Sequence, residues 1–341
     1  MSKKIRSIST SQDYFAVTSL TGRIKGILPL IQDRWEVKIK KKISESDYFG
    51  SGKVGTMHFL VDDHGQDRVL KIQGIQPSIS EAEILQKFKE NNQSQLIRLP
   101  YLYKYLPWDE ELGFEALLME YVQADLVIET SQIATQEQLQ QFFSIYQNYQ
   151  RYCQPKPWID HPDLLAAKYV EKRIDKFIKL SKELKPDHPE REAGDIDLVK
   201  EAQQVLVDFY QLQQTKLSFQ HGHLSVHNVR IKDDKVILLA NLFWKWLPPY
   251  FDLVFAYHWF MYSLSGCDVS ETELSTQRRL WLKEMQKQTS DEKLFKAALL
   301  ERAVAGLLND AFAYTDAEQP LMKILVKQTR QQVKELTKFL R

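Results

Sequence analysis

The stretch His221-Gly222-His223-Leu224-Ser225-Val226-His227-Asn228-Val229-Arg230-Ile231 decides how the rest of the chain is read. Its first half is a polar loop sequence with one glycine, and its end runs into β-branched residues. The turn Lys232-Asp233-Asp234-Lys235 and the apolar run Val236 to Leu239 follow, so 229–239 predicts a β-hairpin. Three imidazoles within seven residues raise a first chemical reading, because histidine is a common zinc ligand and three ligands plus water make a hydrolase site. No fourth ligand stands at a suitable spacing. Just downstream come Ala240-Asn241-Leu242-Phe243 and the tryptophans Trp244, Trp246 and Trp259, whose bulk predicts packing rather than ligation.

Upstream, Trp35, Val37 and Ile39 alternate with Glu36, Lys38 and Lys40, the period of a strand with one face buried. The glycine-rich Gly50-Ser51-Gly52-Lys53-Val54-Gly55 leads into strand-like Thr56 to Val61, a turn at Asp62 to Gly65, and a third strand from Arg68 to Ile72. Strand, loop, strand lays a glycine flap over phosphates, whereas a dinucleotide fingerprint needs a helix after the turn. Lys71 shares a strand face with Val69, and an inward ammonium there needs an anion, for which Glu81 is the obvious partner. Glu81 has a purely local explanation as well, as the third residue of a capping box opened by Ser78. A helix follows Pro77 with Leu85 and Phe88 on one face, and strands resume at Tyr101 to Tyr105 and Phe114 to Val122. Five strands and one helix thus precede about residue 125.

Beyond that point the period turns helical, first with Leu139, Phe142, Phe143 and Tyr146, then in 163–182 and 196–214. The polar stretch Lys185 to Asp195 predicts a surface loop. Further helices are expected near 270–286, 291–314 and 319–340. The fold class is α+β, with the β-hairpin as an island in the helical part.

The His221 to Ile231 stretch resembles the catalytic loop of the aminoglycoside phosphotransferase and choline kinase-like superfamily, which runs His-Gly-Asp-Leu, three residues, Asn, then a short strand. His221, Gly222, Leu224 and Asn228 match in register, but His223 stands where that family carries its catalytic aspartate. Val236 to Phe243 resembles the family's strand ending in a magnesium-binding aspartate, and Ala240 occupies that position. Tyr250-Phe251-Asp252-Leu253 fits the segment whose aspartate braces the catalytic loop. The resemblance covers about residues 35–260. It implies a bilobal protein-kinase-like fold, with an N-terminal extension at 1–34, an antiparallel five-stranded N-lobe with one main helix at 35–124, and a mainly helical C-lobe with a degenerate catalytic loop at 125–341. The roles it implies are Gly50, Gly52 and Gly55 as phosphate flap, Lys71 with Glu81 as phosphate clamp, and Met119, Glu120, Tyr121 and Val122 as the adenine-contacting hinge. Asn228 would be a surviving metal ligand.

A general base supplies about 10²–10⁴ in rate, and metal clamping of phosphates several kcal/mol more, so the loss of both aspartates weighs against turnover. The resemblance therefore implies a pseudokinase that binds ATP, with magnesium binding weak or absent, and a small-molecule ligand. The alternative is an atypical ATP-dependent phosphotransferase with His223 as base, since imidazole accepts protons; the zinc hydrolase is a minor third reading.

Composition narrows the setting. The 341 residues are 43% hydrophobic, enough for a sizeable core, and 46 Lys and Arg against 45 Asp and Glu give a net charge of +1. That balance provides no bulk field for nucleic acid or an anionic membrane. Two distant cysteines, Cys153 and Cys267, form neither a disulfide framework nor a Cys-x-x-Cys site, and the N-terminus lacks the apolar core of a signal peptide. The expectation is a cytoplasmic protein without a membrane span. The acceptor substrate, the protein partner and the oligomeric state leave no mark in the sequence.

Overall fold

A computed structural model describes residues 18–47, 53–77, 79–153, 159–183, 190–310 and 320–341. Gly50, Gly52 and Ser78 lie outside the described residues, as do residues 1–17 of the expected N-terminal extension at 1–34. The chain forms two compact units, one from residues up to 90 plus 99–124, the other from 91–98 plus 125–341.

The first unit is an antiparallel sheet of β1 (Lys38–Asp47), β2 (Val54–Asp63), β3 (Gln66–Gln73), β5 (Leu102–Asp109) and β6 (Phe114–Glu120), in the order β1-β2-β3-β6-β5. Between β3 and β5 runs α2 (Glu81–Asn91). The register pairs Lys71 of β3 with His58 on β2 and Leu117 on β6, which puts the lysine in the middle of the sheet.

Ahead of the sheet stands α1 (Leu20–Trp35), a helix that the sequence did not announce. The strand read from Trp35 begins at Lys38 instead, and Trp35 is the last residue of α1. Gly22, Gly26 and Pro29 all lower helix propensity, so local preference hides this element. Packing overrides it: Leu20, Ile27, Ile31 and Trp35 recur on one face and join Val61, Leu70, Ile72 and Phe114 in the core. Arg23 ties the helix down from its side, donating to the backbone carbonyls of Thr18, Gly74, Leu112 and Gly113.

The second unit is mainly helical, with α3 (Gln136–Tyr152), α4 (Ala166–Glu183), α5 (Asp195–Leu212), α6 (Phe251–Ser265), α7 (Glu271–Gln286), α8 (Glu292–Ala305) and α9 (Pro320–Leu340). Its small sheet has the order β4-β10-β9-β7, where β4 is Ile97–Arg98, β7 Asp125–Leu126, β9 Val229–Lys232 and β10 Lys235–Leu238. The expected hairpin is β9–β10, and its turn holds Asp233 and Asp234 at φ of 50° and 57°. A second pair, β8 (Ser218–Gln220) with β11 (Lys245–Leu247), brackets the loop that opens with His221. No helix among the described residues is long and apolar enough to cross a membrane.

Ile31 is fully packed in the first unit's core, and truncating it leaves a cavity. Ile31→Ala is expected to lower unfolding stability by about 2–5 kcal/mol, read as a reduced urea midpoint with little change in slope.

Candidate active site

The loop after β8 is shaped by one carboxylate. Asp252, in the first turn of α6 and wholly buried, accepts from His221 N at 2.9 Å and from the Tyr149 hydroxyl at 2.7 Å through Oδ2. Its Oδ1 accepts from Gly222 N at 2.8 Å, and the Leu224 backbone contributes a further hydrogen bond. His221 N also donates to the Tyr149 oxygen at 2.7 Å, and Gln220 Oε1 accepts from Asp252 N at 3.0 Å. Burial pushes the Asp252 carboxyl up to about 6, with the hydrogen bonds from Tyr149, Gly222, His221 and Leu224 pulling it back. Gly222 has no alternative at its position: φ is +77°, and a Cβ would sit 2.4 Å from the Phe243 carbonyl.

His223 is half-buried, stacked on Phe243 with ring centroids 4.4 Å apart and tilted against Phe255 at 4.9 Å. The Asn228 amide nitrogen lies 2.9 Å from the His223 carbonyl and 3.0 Å from His223 Nδ1. A carbonyl only accepts, so that amide group is the donor to both, and Nδ1 is an occupied acceptor. Burial, then the charges of His221, Lys245 and Arg302, lower the imidazole to about 3. A base of that strength, with one nitrogen engaged and the proton on the other, is poorly matched to taking a proton from a hydroxyl near neutral pH.

Ala240 lies just beyond β10 in the left-handed region at φ +59° and offers only a methyl group. The turn sends the next side chain, Asn241, into the core, where its amide donates to the Leu238 carbonyl and its oxygen accepts from Trp244 Nε1. The magnesium implied by the resemblance therefore meets neither a carboxylate at 240 nor a free oxygen at 241, and the residues present do not fit the ion. Asp233 and Asp234 sit exposed in the β9–β10 turn, and no carboxylate hydrogen-bonds to Asn228 among the described residues.

The three histidines diverge, which corrects the zinc reading. His221 packs edge-on against Trp244, His223 stacks as described, and exposed His227 meets Ser263 Oγ at 3.0 Å. Among the described residues no three His, Cys, Asp or Glu side chains are grouped to hold a metal.

In the first unit, Lys71 is 7% exposed and Glu81 2%, and the two form a buried ion pair. The local explanation of Glu81 fails: Ser80 Oγ accepts from Glu83 N at 3.1 Å, so Ser80 is the cap and Glu81 opens the helix with its carboxylate turned to Lys71. Glu115 on β6, missed in the sequence, approaches the same pair. Its Oε2 accepts from the Tyr105 hydroxyl at 3.3 Å, while its buried Oε1 has no hydrogen-bond partner. Burial first, then the Glu81 charge, pushes the Glu115 carboxyl up to about 7 against the pull of Lys71. Nothing in a run as apolar as Phe114 to Met119 marks one glutamate as special beyond its being there at all. Gly55 accepts from Gly74 N at 2.7 Å through its carbonyl. At the end of β6, Met119 is buried, Glu120, Tyr121 and Val122 are half-buried, and Glu120 N donates to Tyr101 O at 2.8 Å.

With this geometry, solved structures supply the comparison. Aminoglycoside phosphotransferase APH(4)-Ia is 9% identical, over 92% of this chain and 98% of that one, at a TM-score of 0.60. A choline kinase from Cryptosporidium parvum is 12% identical over 93% and 97%, at 0.55, and a fructosamine-3-kinase homologue from Haemophilus somnus is 18% identical over 92% and 98%, at 0.53. The chain has the protein-kinase-like fold of these small-molecule phosphotransferases. At such identities the likeness speaks for the fold alone. No protein-family model and no curated protein matches the sequence.

Two outcomes follow from the buried carboxylates. Asp252→Asn turns an amide N–H toward donors and should cost about 2–4 kcal/mol in urea unfolding; combined with Tyr149→Phe in a double-mutant cycle, it should show coupling of at least about 0.5 kcal/mol. Glu115 keeps its proton in the folded protein where an unfolded glutamate, near 4.5, has lost it. Its stabilising contribution is complete below about 4.5 and is lost as pH rises through about 7. Glu115→Gln should therefore gain on the wild type across that interval when stability is measured against pH.

Proposed function

We propose that this protein is a pseudokinase, one that binds ATP through Lys71 and Glu81 and acts by binding rather than by efficient phosphoryl transfer. The observation that carries the reading is a contrast. The Lys71–Glu81 pair is intact and buried, whereas the loop and strand end that would do chemistry hold a weakly basic His223 and the methyl of Ala240. In a kinase-like fold the lysine neutralises phosphate oxygens and the glutamate positions the lysine. Met119 to Val122 would contact the base, and Gly50, Gly52 and Gly55 would cover the phosphates.

Two further observations support binding. Structures with the same fold are complexes of APH(4)-Ia with ADP and hygromycin B, and with AMP-PNP and hygromycin B. By analogy this chain takes a nucleotide and a small-molecule ligand. Magnesium has no carboxylate to hold it at 240, so nucleotide binding is proposed to be independent of the ion. Cys153 and Cys267 are both free, which fits a reducing compartment, and we assign the protein to the cytoplasm.

The test is thermal unfolding with millimolar ATP, with and without magnesium, on wild type and Lys71→Ala. A ligand at about 100 times its Kd adds roughly 2.7 kcal/mol, which moves the midpoint of a protein this size by several degrees. The expected result is a shift that Lys71→Ala abolishes and magnesium leaves alone. A shift that needs magnesium would return the protein to the active phosphotransferases, and no shift in the wild type would refute nucleotide binding.

A further inference from the structure

Lys245 lies on β11 opposite Gln220 of β8, in a run of otherwise apolar side chains from Leu242 to Leu247. Trp246, the next residue, points the other way, donating from Nε1 to the Ile159 carbonyl at 2.8 Å and meeting the His161 ring. Strand alternation therefore puts Lys245 on the face of Leu247, which packs with Phe251 and Phe255 of α6, flanked by Tyr169 and Trp259. Two guanidiniums and the neutral imidazole of His223 gather on that aromatic pair. The Arg173 guanidinium stands 4.6 Å from the Phe251 ring centre, Arg302 5.6 Å from that of Phe255, and the His223 ring 4.9 Å from Phe255.

Among the described residues the two guanidiniums nearby are each paired with a carboxylate. Arg173 donates to Glu301 Oε1 at 2.6 Å, Arg302 pairs with Asp310, and the Asp252 oxygens are occupied by the loop and Tyr149. Lys245, half-buried, has no carboxylate within ion-pair distance among the described residues. Burial, followed by the charges of Arg173 and Lys176, lowers its ammonium to about 7, more than Asp252 and Glu301 restore. A lysine buried beside like charges is costly unless something supplies the missing anion.

We propose that Lys245, with Arg173 and His223 around the Phe251–Phe255 floor, forms a binding site for a small oxyanion, a phosphate or carboxylate, attached to a flat apolar body. The ammonium and guanidinium take the anionic group and the rings take the body, while His223 donates from the nitrogen that Asn228 leaves free. All these residues belong to the helical unit, and none of them is part of the Lys71–Glu81 pair.

Calorimetric titration of the full chain with phenyl phosphate, benzoate and benzylamine tests this. Wild type should bind at least one of the two anions and reject the cation, and which anion binds tighter identifies the group. Lys245→Met should weaken anion binding about tenfold or more and Lys245→Arg should stay within a few-fold of wild type, and both effects should persist in a Lys71→Ala background, where the nucleotide clamp no longer contributes. Without ligand, Lys245→Met should melt at or above the wild-type temperature, because it removes an unmatched charge. Failure of both anions at millimolar concentration, equal binding of benzylamine, undiminished binding by Lys245→Met, or a lower melting temperature for that variant would each overturn the proposal.

Discussion

The buried carboxylate of Asp252 sets the geometry of the helical unit's loop. It reaches from the first turn of α6 to the backbone of His221, Gly222 and Leu224, and the Tyr149 hydroxyl closes the network from α3. Each donor is itself buried, so each would cost about 1–3 kcal/mol if left unmet, and none is free to move without stranding another. The consequence is a loop whose course is set by this network and not by the His223 side chain, which stacks on Phe243 instead. Asp252 and Tyr149 hold the loop through its backbone, so the side chain at 223 is free of that structural duty.

How far this could be read in the sequence differs between elements. The hairpin was legible because short-range pattern carries it, whereas the loop and its Asp252 brace were legible only through the resemblance to the phosphotransferase loop. The five-stranded sheet was legible as well, because apolar runs bounded by turn residues mark its strands even where, as in β6, nearly every residue is buried. Two helices were not. In α1, Gly22, Gly26 and Pro29 argue locally against the helix that tertiary burial of Leu20, Ile27 and Ile31 imposes. In α6 nearly every residue is buried, so no polar face exists to reveal a 3.6-residue period, and the element reads as a featureless apolar run. The site residues divide likewise. Lys71 and Glu81 follow from strand, helix and charge, but Glu115 and Lys245 matter because of neighbours far away in the chain, Glu81 and Tyr105 for the one, Arg173 and Lys176 for the other. The direction of Asn241 needed the left-handed turn at Ala240, which alanine does not advertise.

The two units treat uncompensated charge in opposite ways. The sheet unit places two carboxylates by one ammonium, and the excess is relieved because Glu115 takes up a proton near neutrality. The helical unit places an extra ammonium among paired cations, and the excess is relieved by a weakened hold on the Lys245 proton. In both, burial is the largest influence and the neighbouring like charge the second, so the groups are poised where a bound ligand's charge would decide their state. A cation near Glu115 would return it to the carboxylate, and an anion near Lys245 would return it to the ammonium.

The Lys71–Glu81 pair bears on whether the first unit is only a scaffold. Desolvating two ions costs several kcal/mol each, and an apolar pair of similar volume commonly does as well or better for stability. This pair gains little that leucine and methionine at 71 and 81 could not supply, and its surroundings make it dearer still, since Glu115 and His58 must both be held neutral beside it. An arrangement that holds two ionisable neighbours neutral to keep one lysine oriented is poorly explained by folding. It is well explained by a ligand with negative charge, to which an ammonium already desolvated and already aimed binds without the reorganisation that an exposed lysine would need.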